Sequence, residues 1–476
     1  MKKFIVLAIG FLALFGFAAS AFAIHAEIPA ESQAVVAKGS VQLTISGDLR
    51  VRGWLEKNIS GFSGFFPGGM LDGQNQTYYD ERVRLAVDAT QGNVSGRIHL
   101  ESGDANSDVF KWGSNVPGGL QGLNFGDTNT KPTDMSILEA WIQYTGAGLG
   151  MPAGIKVGHM PLALGPDTLF FDHTKFGDDA IVGWVDPTPT THIVALTIKA
   201  VETDSGNAVL SSNANDLDIY VGLINQVLAG QNLQAYYAYA NMPTATLSLQ
   251  DLGINASGSF GGLTYSAEYD QNLGKLGGLA TTVAPFDTVN GGKAEGYALQ
   301  LNLGYKLGSA GIRAMAAYGS GPKANETDAK EFINFLSANQ YNTLVYGYRV
   351  VNAMGELNGA GTNNQISNTE MLNLGVDVNP TADLKASVDG YLLRATNTDA
   401  FFNFANPGAG VSHNIGTEID AKVTYALAKN LNYFFNAGYL IAGDFYKDAG
   451  YSANSSDTNV GKVNPFVLMH GLELSF

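Results

Sequence analysis

Arginine recurs at alternate positions in neighbouring stretches of the chain: Arg50 and Arg52 in "GDLRVRGW", Arg82 and Arg84 in "DERVRLAVD", and Arg97 in "SGRIHLES". Side chains two residues apart point to one side of an extended strand. Guanidiniums fixed in such a row can lower the barrier for a carboxylate or phosphate moving past them. Asp48, Asp80, Asp88 and Glu101 have the same parity as these arginines, so the row is equally suited to salt bridges that stiffen one wall. The two uses are compatible. Farther along, Glu268, Asp377, Asp389, Glu418, Asp420 and Glu473 fall on faces of the same kind, with Lys422 following Asp420 in phase. An arginine-bearing wall would then oppose a more acidic one across whatever space the strands enclose. Asp167, Asp172, Asp178 and Asp179 lie in connecting segments, where they are expected to solvate an outer surface or hold divalent cations there.

Other chemistries find little support. The seven histidines, His25, His99, His159, His173, His192, His413 and His470, make no pair at metal-ligand spacing, and no nucleophile motif accompanies them. No metal, no cofactor and no enzymatic activity is expected. With no cysteine there is no Cys-x-x-Cys-His haem attachment and no disulfide, which suits a compartment where free thiols are oxidised. No basic block indicates nucleic acid. Only 15% of residues are charged, 27 Lys and Arg stand against 43 Asp and Glu, and Gly and Tyr number 58 and 21. A soluble chain of this length carries about 25% charged residues.

The elements that must position these groups are strands. "MKKFIVLAIGFLALFGFAASAFA" has a basic start, an apolar run and a small-x-small end at Ala21–Ala23, the pattern of a cleaved signal peptide over 1–23. No later stretch reaches the roughly 18 consecutive apolar residues of a spanning helix, so any further membrane crossing must be made by a closed barrel. In "EGYALQLNLGYKLG", Tyr297, Leu299, Leu301, Leu303, Tyr305 and Leu307 form one face and Ala298, Gln300, Asn302 and Lys306 the other. Apolar rows with tyrosines toward both ends are what a lipid-facing strand requires. Ile419, Val423, Tyr425 and Leu427 oppose Glu418, Asp420, Lys422 and Thr424 in the same way, and Tyr433, Phe435, Tyr439 and Ile441 oppose Asn432 and Asn436.

Periodicity gives strands near 41–56, 77–90, 93–103, 135–145, 153–164, 180–186, 190–203, 215–228, 232–241, 248–260, 263–274, 296–308, 310–320, 367–379, 382–397, 414–429, 430–446 and 463–476. Alternate connections are tight ("QGN", "DPTP", "AGQ", "GG", "PTA") and the others mostly longer, the largest running from Gly321 to Ile366. This parity predicts an all-β fold: a transmembrane antiparallel β-barrel over 41–476 with about 18 strands. Sixteen is the alternative, because 180–186 is a weak strand. Short turns are expected on the periplasmic side with both termini, long loops outside, and a short periplasmic segment at 24–40. The chain ends on "NPFVLMHGLELSF", with Phe476 closing the apolar row of the last strand.

That terminal aromatic resembles the end of bacterial outer-membrane barrels, and the resemblance implies that the barrel-assembly machinery reads Phe476. A narrower resemblance rests on "ISGDLRVRGW", "DERVRLAVD", "ILEAWIQYTG…GIKVGHMPLALG" and "IGTEIDAKVTYALAKNLNYFFNAGYLIAGDF", which look like the alginate-export-like porins of Gram-negative bacteria. His159 stands where such proteins commonly carry Arg. The resemblance implies a channel for passive passage of small hydrophilic solutes or ions, with anionic oligosaccharides among the candidate cargoes. It also implies a setting of outer-membrane lipid and lipopolysaccharide, and it leaves a homo-oligomer open. Arg50, Arg52, Arg82, Arg84, Arg97, Glu418, Asp420 and Lys422 are the expected lumen and selectivity residues. Two other classes are compatible with a barrel. A barrel sheath for an export or electron-transfer partner would need a second protein, and an outer-membrane lipid hydrolase lacks a visible nucleophile.

Overall fold

The computed structural model describes residues 34–38, 40–59, 76–102, 109–112, 135–148, 150–201, 216–243, 246–277, 292–324, 326–334, 343–347, 350, 353–354, 366–401, 403, 406–449 and 464–476. The expected signal peptide lies outside the described residues. The strands are β1 (Ala34–Lys38), β2 (Val41–Lys57), β3 (Gln76–Gln91), β4 (Val94–Ser102), β5 (Phe110–Lys111), β6 (Met135–Gly148) and β7 (Met151–Met160). They continue as β8 (Asp178–Thr188), β9 (Thr191–Val201), β10 (Leu217–Leu228), β11 (Gln231–Met242), β12 (Leu247–Phe260), β13 (Leu263–Lys275) and β14 (Tyr297–Leu307). The last six are β15 (Ala310–Gly319), β16 (Thr369–Thr381), β17 (Leu384–Ala395), β18 (Asn414–Ala428), β19 (Leu431–Ala442) and β20 (Phe466–Ser475). One short helix, α1 (Asp444–Asp448), follows β19.

Each long strand pairs antiparallel with its chain neighbour, and β2 pairs with both β3 and β20. The ladder therefore closes into a barrel of eighteen strands, with β1 and β5 as short additions. Closure leaves no strand edge unpaired, which is the condition for backbone amides in a bilayer. No helix among the described residues is long and apolar enough to cross a membrane. The weak segment at 180–186 proves to be a full strand, because Asp178–Ala180 extend it along Met160–Gly158; the sixteen-strand alternative is excluded.

The outward rows are apolar, as the alternation requires. Leu299, Leu301, Leu303, Tyr305 and Leu307 are exposed on the surface while Ala298 and Gln300 are buried behind them. Tyr265, Tyr305, Tyr425 and Tyr433 lie toward the tight-turn end. Tyr297 stacks on Tyr318 at 5.6 Å and Tyr220 on Tyr239 at 6.4 Å toward the loop end. These are the two aromatic girdles expected of a membrane barrel.

Phe476 packs at the seam between β20 and β2. Gly47 and Phe476 exchange backbone hydrogen bonds of 2.8 and 3.0 Å. A Cβ on Gly47 would come within 2.7 Å of the Phe476 ring, so glycine there leaves room for the ring against β2. Just beyond the C-terminus β1 pairs with the start of β2, from Lys38 opposite Val41 to Ala34 opposite Ile45. The segment expected merely to precede the barrel thus contributes a short strand beside the seam.

Part of the inner wall is apolar. Ile198, Ile219, Val221, Ala238 and Leu249, facing inward from β9–β12, belong to one buried cluster with Leu164, Leu169, Phe170 and Phe171 of the connection between β7 and β8. A wall in contact with water would not select such residues. They are apolar because a loop covers them.

Candidate functional site

The arginine-bearing side of the lumen is a lattice of ion pairs. Arg52 meets Asp80 in a fork, with Nε and Nη2 donating over 2.7 and 2.9 Å, and Trp54 Nε1 donates to the same carboxylate over 2.8 Å. Arg82 donates to Asp48 over 2.8 Å and to Glu473 over 3.2 Å, which ties β3 to β2 and, across the seam, to β20. Arg84 pairs with Glu101. Arg97 lies 3.1 Å from Glu139 and 3.6 Å from Asp88, and His99 and Trp141 also bond Glu139. Arg50 sits in register between Arg82 and Glu473. Charge-assisted forks of this kind are strong and directional, so these guanidiniums are held against the wall.

The second feature is the β7–β8 connection, residues 161–177. It runs inside the barrel over the apolar inner face of β9–β12 and ends on β13 and β14. Glu268 of β13 accepts the backbone N–H groups of Asp167 (2.7 Å) and Leu169 (3.2 Å). Asp167 in turn accepts from Ser266 (3.1 Å) and from Asn302 of β14 (2.6 Å). Gly165 has φ +76°, and a Cβ there would fall 2.2 Å from the Glu268 carboxylate. Only glycine fits both the backbone conformation and the approach. Burial raises the Asp167 carboxyl to about 6, against the opposing effect of the Ser266 and Asn302 hydrogen bonds. The acids expected on an outer surface are therefore partly misplaced. Asp172 and Asp178 are 1% and 4% exposed, Asp172 accepting from Thr174 and Asp178 engaging His173 at 2.7 Å. Their loop turns inward, which alternation within strands cannot reveal. Asp179, with a largely exposed side chain, is the second residue of β8 and pairs with His159 at 2.9 Å.

Another inward segment comes from the connection between β15 and β16. Glu418 of β18 accepts the backbone N–H groups of Val345 (2.6 Å) and Tyr346 (2.8 Å), and Asp420 that of Leu344 (2.9 Å). The Tyr346 hydroxyl lies 2.7 Å from that of Thr369. Glu418 and Asp420 were expected to line an open acidic wall; both are fully buried beneath this segment. Asp377 and Asp389 are also engaged, at 2.6 and 3.0 Å from Arg313 of β15. The acids of this side are thus bonded either to Arg313 or to backbone N–H groups of inward segments.

Between these features the inner wall of β13–β18 forms a recess of about 370 Å³ lined by Ser266, Asn302, Arg313, Asn373, Tyr391 and Lys422. Of these only Lys422 was singled out from sequence. Arg313 carried a legible signal, since it alternates with outward Ile312 just as Arg82 and Arg84 alternate with Val83 and Leu85. The amides and Ser266 carried none. Polar residues on an inward face are ordinary, and it is the arrival of the loop that makes these particular ones a site.

The family model described as alginate export matches residues 69–459. Among solved structures, Pseudomonas aeruginosa OccK9 (OpdG) is 13% identical with a TM-score of 0.51, over 91% of this chain and 98% of that one. A BenF-like porin from Pseudomonas fluorescens Pf-5 is 13% identical with a TM-score of 0.50, over 91% and 99%. Pseudomonas aeruginosa OccK8 (OprE) is 10% identical with a TM-score of 0.50, over 91% and 98%. At these identities the structural matches bear on fold alone. No curated protein sequence matches the chain.

Proposed function

Given that the chain belongs to the alginate-export family and is an outer-membrane channel for small solutes, we propose that its solute path runs between the arginine-bearing wall of β2–β6 and the recess of β13–β18, narrowed by residues 161–177. The observation that carries this is the docking of the loop on Glu268 and of Asp167 on Ser266 and Asn302, which fixes a folded segment inside the barrel. Arg50, Arg52, Arg82, Arg84 and Arg97 set the field along one side of that path. Glu418 and Asp420 shape the other side through the loop they hold, and Lys422 contributes a charge at the recess.

The tight-turn end, with both termini, faces the periplasm in this reading and the long connections face outward, as in other outer-membrane barrels. Phe476 acts in assembly as the residue the barrel machinery recognises, and its ring then closes the seam against Gly47. The channel has no catalytic step. The described histidines are engaged by carboxylates, carbonyls or neighbouring rings: Glu139 at His99, Asp186 at His192, Ala395 at His413 and Tyr433 at His470.

The family's description favours an anionic oligosaccharide as cargo, whereas the pairing of the arginines favours a solute that needs no net charge. Planar-bilayer recording of the purified protein tests the reading. Stepwise insertion of an ohmic conductance that passes small salts is expected, and inserted protein without conductance would refute the channel.

A further inference from the structure

We infer that the recess on β13–β18 is a binding site for a neutral polyhydroxyl solute, a sugar of about two rings, met on the way through the lumen. The inference rests on the channel reading and adds to it a solute class.

Charge is the first argument. The recess presents two cations, Arg313 and Lys422. Arg313 is already bonded by Asp377 and Asp389, Asp420 is the neighbour of Lys422 on the inward row of β18, and Asp167 stands at the rim on Ser266 and Asn302. Carboxylates at least balance the cations, so an anion gains no net attraction there and loses hydration on arrival.

Hydrogen-bonding capacity is the second. Asn302 uses its amide nitrogen on Asp167 and Ser266, and Asn373 uses its own on Asp389 and the Gly390 carbonyl. Their side-chain carbonyl oxygens remain as acceptors. Arg313 bonds its two aspartates through Nε and Nη2, which leaves Nη1 as a donor. Acceptors beside a donor suit hydroxyls, which both give and receive.

Register supplies the third. Met315 of β15 lies opposite Asn302 on one side and Asn373 on the other, so the two amides stand two inter-strand spacings apart, about 9–10 Å. A single small polyol cannot reach both; a disaccharide can. Met315 faces inward between them and is nearly buried, which gives a narrow apolar floor for the C–H face of a sugar ring.

The test is blockade of ionic current in planar bilayers by cellobiose, compared with digalacturonate, on the parent, Asn373→Leu and Asn373→Ser. Cellobiose should block the parent, and either substitution should weaken that block about five- to tenfold, the effect of one lost hydrogen bond, with block measured in each protein against its own conductance without sugar. Using two variants guards against one that fails to insert. Stronger block by digalacturonate than by cellobiose overturns the inference, as does cellobiose block unchanged in both variants. A parent channel that conducts but is not blocked by cellobiose overturns the site alone, whereas a parent that does not conduct overturns the channel reading and the site with it.

Discussion

On β3, Asp80 takes the guanidinium of Arg52; on β13, Glu268 takes two backbone N–H groups of a loop. Both are inward, nearly buried carboxylates on neighbouring-type strands of one barrel, and they do different things because different partners reach them. Around β2–β6 the partners are side chains one or two strands away, so the wall is braced within itself. Around β13–β18 several partners are backbone groups of segments 161–177 and 343–347, so there the wall shapes the lumen by holding something in it. An inward carboxylate is therefore a stiffener where the lumen beside it is open and an anchor where a loop arrives.

Breaking the anchors should have the largest effect. In Glu418→Ala/Asp420→Ala three hydrogen bonds to buried carboxyl groups disappear together, and residues 343–347 should leave the wall. Limited proteolysis of the folded protein should then cut in that segment at a rate far above the parent's. A parent-like digestion pattern would mean that the apolar packing of Val345 and Tyr346 holds the segment unaided.

Breaking a brace should cost less and should depend on what is left behind. Arg84→Gln removes the guanidinium from Glu101, which is 6% exposed, and loss of one partner from a buried pair costs about 3–5 kcal/mol. Arg84→Gln/Glu101→Gln removes both charges and should recover most of that loss. The readout is the temperature at which the folded band on a gel converts to the unfolded one. If reversal potentials match between the parent and the double variant, the pair acts in stability; a shift toward cations in the double variant would give Arg84 a share in selectivity beyond its partner.

The alternation of side chains made the barrel legible, and the reason is geometric. Lipid on one side and a polar interior on the other impose period two, and most of the long strands carry it, with Leu299, Leu301 and Leu303 as a plain case. The inward placement of Arg82 and Arg84 follows from the same rule. What period two cannot show is any contact made by a connection, since nothing in "LALGPDTLFFDHTKFG" states that it turns into the barrel. The apolar residues Ile219, Val221 and Leu249 on faces that should have been polar were the available hint, and Gly165 marks the point where the loop meets Glu268.

The smallest expected effect is pH dependence confined to the loop side. Because the docked Asp167 carboxyl is raised to about 6 from the ordinary aspartate value of 3.8, its protonated form favours docking. That contribution is complete below about 3.8 and is lost as pH rises through about 6. Acidification from pH 7 to 5 should narrow the channel and lower conductance modestly, and Asp167→Asn should flatten the response. An equal response in both proteins would assign the titration to another group.

Single-channel conductance of Glu268→Ala tests most directly whether residues 161–177 set the bore. The two hydrogen bonds from Asp167 and Leu169 vanish, about 0.5–1.5 kcal/mol each, and no charge on the arginine side is altered. Conductance should rise clearly above the parent's, with open-state noise from a loop that docks and undocks. Conductance equal to the parent's, in channels shown to be inserted and folded, would contradict a constriction held by Glu268.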